Sequence, residues 1–260
     1  MLPLMQFLNK TDHEVHFFVD REMRPWGEKS ADLIAKRVTK AIDLLVDSVD
    51  ALIVPPALEA SLIEQYPKVL PLFQTYVQDY AFTHSLVGKI GLLCEQADME
   101  NGQRILETYA KDYTLSDAQK NIKKFMQPFA RWKKNVRMWT YFLTTYGRSE
   151  PMLRKTLKYD LRYFSDAGVD TLVPLSRWFL FYQKIIRNRM NRKKVRFHSL
   201  DAVEECFRKI IDERWLKSSD AYSISLHYTD LPTPLLQEKK RMQVLSRGAE
   251  VEVDLIKVEM

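Results

Sequence analysis

Residues 169–186 read Val-Asp-Thr-Leu-Val-Pro-Leu-Ser-Arg-Trp-Phe-Leu-Phe-Tyr-Gln-Lys-Ile-Ile. After Gly168 the stretch begins as a short apolar run, the pattern of a buried strand. It turns at Pro174–Ser176. From there Trp178, Phe181, Tyr182 and Ile185 recur at helical spacing. Ser176 and Arg177 therefore fall where a strand ends and a helix begins. Such a junction offers free backbone N–H groups and the positive end of a helix dipole. Open α/β sheets bind their ligands at these junctions.

Moving outward, the same pattern occurs earlier. Val49-Asp50-Ala51-Leu52-Ile53-Val54 is a second apolar run. It meets Pro55-Pro56 and then a helical pattern over Ala57–Ile63, with proline at the first helical position. Two Val-Asp strand–turn–helix units suggest two similar lobes whose strand ends face one cleft. Repetition of such units is also the ordinary habit of any α/β protein, and the pattern by itself leaves both readings open.

The remaining elements continue the alternation. Met1–Lys10 reads as a short helix and Glu14–Val19 as an apolar strand, followed by a turn-rich loop from Asp20 to Ser30. Ser30 caps a long amphipathic helix through about Val46. Val69–Phe73 is a candidate strand and Gln74–His84 a helix. Gly88–Cys94 opens a second lobe with a buried strand. Helices are expected near Glu100–Lys111, Ser116–Trp132, Val136–Tyr146 and Pro151–Ser165, with Ser116 and Gln119 forming a capping box. Val195–His198, Ala221–Tyr228 and Glu250–Lys257 read as strands. Asp201 with Glu204 starts one further helix and Thr233-Pro234 another, which Gly248 ends. Strands alternating with helices define an α/β protein.

Composition bounds the function. The chain of 260 residues has 46% hydrophobic residues and 7 Gly, so it is neither disordered nor low-complexity. No apolar run approaches a membrane span, and Met1–Asn9 is too short and uncharged for a signal peptide. The two cysteines, Cys94 and Cys206, have neither metal-ligand spacing nor the number for a disulfide framework. A cytoplasmic protein without membrane contact is expected. The five histidines, His13, His16, His84, His198 and His227, are scattered and suggest no metal site. The net charge of +6 permits nucleic acid or acidic partners without requiring them.

In order along the chain, several segments resemble the cofactor-independent glutamate racemases of the aspartate/glutamate racemase superfamily. Asp20 through Pro25-Trp26-Gly27 to Ser30 resembles the family's substrate loop, with Trp26 where tyrosine is usual. Val49–Ile53 resembles the strand before the first catalytic cysteine, and Gly88–Gly91 the start of the second domain. Gly168–Val173 resembles the strand before the second catalytic cysteine. The ending Ile256–Glu259 is also similar. The resemblance implies two α/β lobes facing a common cleft. The first would span residues 1–86, completed by 197–260, and the second residues 87–196. It implies an acidic amino acid or small dicarboxylate as ligand, held by Pro25, Trp26, Gly27, Ser176 and Arg177. It implies no cofactor, a cytoplasmic role in peptidoglycan precursor synthesis, and a homodimer as one assembly. A gyrase-type partner is known for some members.

The chain departs from the family where the chemistry is done. Removing and returning an α-proton needs a base on each face of the α-carbon, and the family supplies two thiols. Here Ser176 stands at the second cysteine position, with Arg177 and Trp178 in place of the threonine and histidine. At the first, Val54 runs into Pro55-Pro56 with no counterpart to the Cys-Asn-Thr loop. The family's opening Asp-Ser-Gly strand also has no counterpart after Met1, and genomic sequence encoding it in frame upstream would reveal a misassigned start. Cys94 and Cys206 read as buried structural residues. Ser176 reads as a helix cap, since a serine nucleophile needs an adjacent base. Asp20 and Glu22 read as solvated loop charges. Arg177 fits either a carboxylate fork or a solvated surface position. The expectation is a racemase homologue that does not racemise glutamate.

Two basic clusters remain. One runs from Lys184 to Arg196. The other runs from Lys120 to Arg137 among Phe125, Phe129, Trp132 and Trp139. Both read first as solvated faces, with nucleic acid binding expected to be absent. A protein that acts through this basic surface, or one that uses the cleft to bind an acidic small molecule, is the alternative function.

Overall fold

The computed structural model describes residues 14–20, 29–95, 99, 101–120, 129–136, 138–139, 141–142, 151–175, 182–190, 194–197, 202, 205–210, 223–229 and 252–257. The helices expected over Met1–Lys10 and Thr233–Gly248 lie outside them.

The chain is α/β, built on two parallel sheets. Strand β1 (Glu14–Val19) pairs in parallel with β6 (Ser223–Tyr228), which pairs in parallel with β7 (Glu252–Lys257). The N-terminal sheet is thus closed by strands from the far end of the chain. The second sheet has the order β3-β2-β4-β5, again all parallel, formed by β2 (Lys89–Cys94), β3 (Phe129–Asn135), β4 (Thr171–Pro174) and β5 (Arg196–Phe197). Parallel neighbours require crossover connections. Helices supply them: α4 (Asn101–Lys111) and α5 (Asp117–Lys120) before β3, α6 (Pro151–Asp166) before β4, and α7 (Gln183–Met190) before β5.

Between β1 and β2 lie α1 (Ala31–Leu45), α2 (Pro56–Ile63) and α3 (Leu72–Tyr76), the last continuing as a π-helix over Val77–Phe82. Ser30 caps α1 through Leu33 N–H to Ser30 Oγ at 3.3 Å. The box at α5 is reciprocal: Gln119 N–H donates to Ser116 Oγ at 3.3 Å, and Ser116 N–H to Gln119 Oε1 at 3.1 Å.

Strand β2 explains why its sequence is apolar at nearly every position. Ile90, Leu92 and Cys94 face a core shared with Ile105, Leu106, Tyr109 and Val173. Leu93 faces the opposite core, made by α6, α7 and Leu172. A parallel strand covered on both faces cannot alternate with polar residues. On α6 the inward residues Leu153, Leu157, Leu161 and Phe164 recur at helical spacing and are fully buried. Gly168 follows that helix with φ +70°, and Val169 N–H reaches back to Phe164 O at 3.1 Å, a left-handed helix ending.

Asp170 organises the start of the second sheet. Its carboxylate accepts from Ser85 Oγ at 2.8 Å, Leu86 N–H at 2.6 Å and Val87 N–H at 2.7 Å. Ser85 Oγ in turn accepts from Gly88 N–H at 2.9 Å. The Asp170 backbone bonds Lys89 O on one side and Arg196 N–H on the other. Asp50, in the corresponding Val-Asp pair, is exposed.

Three expectations need correction. Residues 50–54 do not form a full strand. Leu52 makes one parallel bridge to Val69, through Leu52 N–H to Lys68 O and Leu70 N–H to Leu52 O, and the chain then meets two prolines that lack donors. The expected strand over Val69–Phe73 shrinks likewise to that bridge. The helix expected through Trp132 also fails: Phe129–Asn135 is β3, because pairing with buried β2 outweighs local helical spacing.

The two Val-Asp pairs make a direct test. Asp170→Ala orphans two part-buried N–H groups and the buried Ser85 hydroxyl, and should cost about 2–4 kcal/mol of unfolding free energy in urea. Asp50→Ala should leave the midpoint unchanged.

Candidate functional site

The C-terminal ends of the strands are the sequence-derived candidate. At the end of β1 stands Asp20, which is buried. Its carboxylate takes a two-point fork from Arg37 of α1: Nε to Oδ2 at 2.7 Å and Nη2 to Oδ1 at 2.9 Å. Thr229, just past β6, donates its hydroxyl to Asp20 Oδ1 at 3.2 Å. Asp20 is therefore not the solvated loop charge expected from the sequence. Arg37 lies on the inward side of an amphipathic helix, which no local motif announces.

The next element is the start of α2. Pro55 occupies the cap position with no side-chain hydrogen bond, and Pro56 begins the helix. Pro55, Pro56, Ala57 and Leu58 carry no titratable group. The first acid, Glu59, is 1% exposed and turned to another task. It accepts from Phe73 N–H at 2.7 Å and Gln74 N–H at 2.8 Å, capping the start of α3.

From the second sheet, β2 ends in Cys94 and Glu95 and β4 runs into Leu175, all three buried. Ala57 packs against the same core that contains Cys94 and Leu175, and Val15 of β1 reaches it too. Elements of both sheets thus meet in one apolar cluster. Cys206 lies in the helical residues 205–210, and burial pushes its thiol up to about 12, with nearby Asp79 and Glu205 adding to the rise. That thiol is protonated at neutral pH. Pro25, Trp26, Gly27, Ser176, Arg177 and Trp178 lie outside the described residues.

One pairing escaped the sequence because its members are 211 residues apart. His16 Nδ1 and His227 Nε2 are 3.0 Å apart across β1 and β6. His16 Nε2 lies 3.1 Å from Glu14 Oε1. With Nε2–H directed at Glu14, a neutral His16 accepts from His227. Burial and the adjacent His16 lower the His227 pKa. Only the register of the sheet, Phe18 opposite His227, brings these rings together. No group of three or more metal-ligating side chains occurs among the described residues, and no described helix is long and apolar enough to cross a membrane.

Two parallel α/β sheets, the first closed by C-terminal strands, define the fold class of the glutamate racemases. The chain matches the glutamate racemase of Francisella tularensis subsp. tularensis SCHU S4, solved in complex with D-glutamate, with a TM-score of 0.71. Identity is 15%, over 99% of this chain and 92% of that one. Isoform RacE1 from Bacillus anthracis gives 0.72 at 14% identity, over 99% and 94%. The Escherichia coli enzyme, solved with L-glutamate and the activator UDP-MurNAc-ala, gives 0.62 at 14%, over 99% and 94%. At these identities what is shared is the fold. No protein-family model matches the sequence, and no curated protein matches it.

Arg37→Ala should cost about 3–5 kcal/mol in chemical denaturation, since it leaves the Asp20 charge buried and unpaired. The exposed neighbour Lys36→Ala should be neutral. The histidine pair predicts a pH response. The folded state binds a proton at His227 less readily than the unfolded chain does. Stability should therefore hold above pH ~6.5 and fall as pH drops below it. Thermal melts of the protein and of His227→Gln should diverge over that window, with the variant flatter.

Proposed function

We propose that the protein is a glutamate racemase homologue that no longer racemises, and that binds an acidic amino acid or small dicarboxylate between the strand ends of two lobes. The lobes would be residues 1–86, completed by the tail after about Arg196, and residues 87–196. The supporting observation is the first turn of α2. Where the family resemblance calls for a thiol base, the chain has Pro55-Pro56-Ala57-Leu58, and Glu59 is already capping α3. Without a base on each side of the α-carbon, proton removal and return cannot both be catalysed. Loss of one positioned acid–base group typically costs about 10²–10⁴-fold in rate. Ser176 would be the residue on the opposite face, and an unactivated serine hydroxyl does not replace a thiolate.

Pro25, Trp26, Gly27, Ser176 and Arg177 would line the ligand site. Arg177 would meet a carboxylate through its planar fork. The reading carries no cofactor. It places the protein in the cytoplasm, where free thiols such as Cys94 and Cys206 stay reduced. It assigns no D-glutamate supply for peptidoglycan synthesis to this chain.

Two measurements test it together. Incubation with L- and D-glutamate and both aspartates in D₂O should give α-proton exchange no faster than buffer, followed by NMR. Exchange well above buffer and abolished by Ser176→Ala would overturn the loss of catalysis. Thermal melts with the same amino acids and small dicarboxylates should show stabilisation by at least one, and Arg177→Ala should remove it. Absence of any shift would overturn the binding role.

A further inference from the structure

We infer that the outer face of α6 and α7 binds a single-stranded nucleic acid. The two helices pack against each other on one side of the second sheet, over the core of Leu153, Leu157, Leu161 and Ile186. Most of what they turn outward is basic or aromatic. On α6, Arg154, Lys155, Lys158 and Arg162 are exposed, and so are Tyr159 at 61% and Tyr163 at 41%. On α7, Lys184, Arg187 and Arg189 are exposed, and the helix has no acid. The described acids of the face are already engaged. Asp166 pairs with Arg162 at 3.1 Å, and Asp160 accepts from Trp139 Nε1 at 2.9 Å and lies 3.6 Å from Lys134 Nζ. Among the described residues, Arg154, Lys155, Lys158, Lys184 and Arg189 form no ion pair.

The helical step arranges these groups in rows. Arg154, Lys158 and Arg162 lie four residues apart, about 6 Å per step along the axis. Lys155, Tyr159 and Tyr163 form the adjacent row. Tyr163 marks the flank toward β3, because the Lys134 ammonium stands 5.7 Å from its ring centre. Helix α7 packs with β5, at the other end of the sheet from β3. The Arg154–Lys158 flank therefore adjoins the cations of α7. A cationic track beside exposed rings is how proteins hold single strands: the track follows the phosphates and the rings stack on bases. A duplex hides its base faces and would leave the tyrosines without a role, and so would an acidic polypeptide. The sequence showed two separate basic clusters, and the fold gathers Lys134 and the α7 cations around a third set on α6.

Fluorescence anisotropy with a labelled oligothymidylate tests this on the full chain. If about four phosphates are neutralised, affinity should fall roughly 50-fold between about 50 and 200 mM NaCl, from a slope of ~0.7 per phosphate. Replacing Arg154, Lys158, Lys184 and Arg189 by Gln should abolish most of that slope. Tyr159→Ala should weaken binding about fivefold or more and leave the slope unchanged. Thermal melts verify that both variants fold. No binding at low salt, binding indifferent to both variants, or tighter binding to a duplex or to polyglutamate would overturn the inference.

Discussion

The second sheet depends on one buried carboxylate. Asp170 holds the turn at 85–88 by its side chain and joins β2 to β5 by its backbone. A negative charge is stable there only because three donors converge on it. Those donors come from a turn 83–85 residues away in sequence. The register of β2 against β4, Ile90 opposite Thr171, follows from that anchor. The far ends of both strands carry Cys94 and Leu175 into the core shared with α2. A parallel sheet has no hairpin turns to fix register, and a charged corner takes over that task.

The same logic recurs at the other carboxylates near the strand ends. Asp20 is locked between Arg37 and Thr229, and Glu59 serves as the cap of α3. Each is satisfied by groups from a different element, and each ties those elements together. A carboxylate so engaged is a poor general base, because losing its partners costs as much as the proton transfer would gain. Asp20 and Glu59 thus stabilise the architecture, while the proposed ligand chemistry rests on cationic and backbone donors.

The surfaces divide in a parallel way. The inner side of the second sheet meets the elements of the first in a single apolar cluster. The outer side, under α6 and α7, has a separate core and an exterior rich in Lys and Arg. One sheet thus presents a shared interior on one face and an independent charged exterior on the other. Binding at one need not disturb the other.

Local sequence determined what depends on neighbours in the chain. The caps at Ser30 and Ser116–Gln119, the proline start of α2, the buried run of β2, and the Gly168 helix ending all follow from short-range hydrogen bonding and periodicity. The α/β class followed from their alternation, and the family resemblance gave the pairing of distant strands. Tertiary structure alone decided the rest. Phe129–Asn135 became a strand because β2 offered it an edge. Asp20 proved buried and paired because Arg37 reaches it across 17 residues, and His16 met His227 because the register of two parallel strands set them side by side. Contacts between residues far apart in the chain carry no local periodicity, so only the closed sheets reveal them.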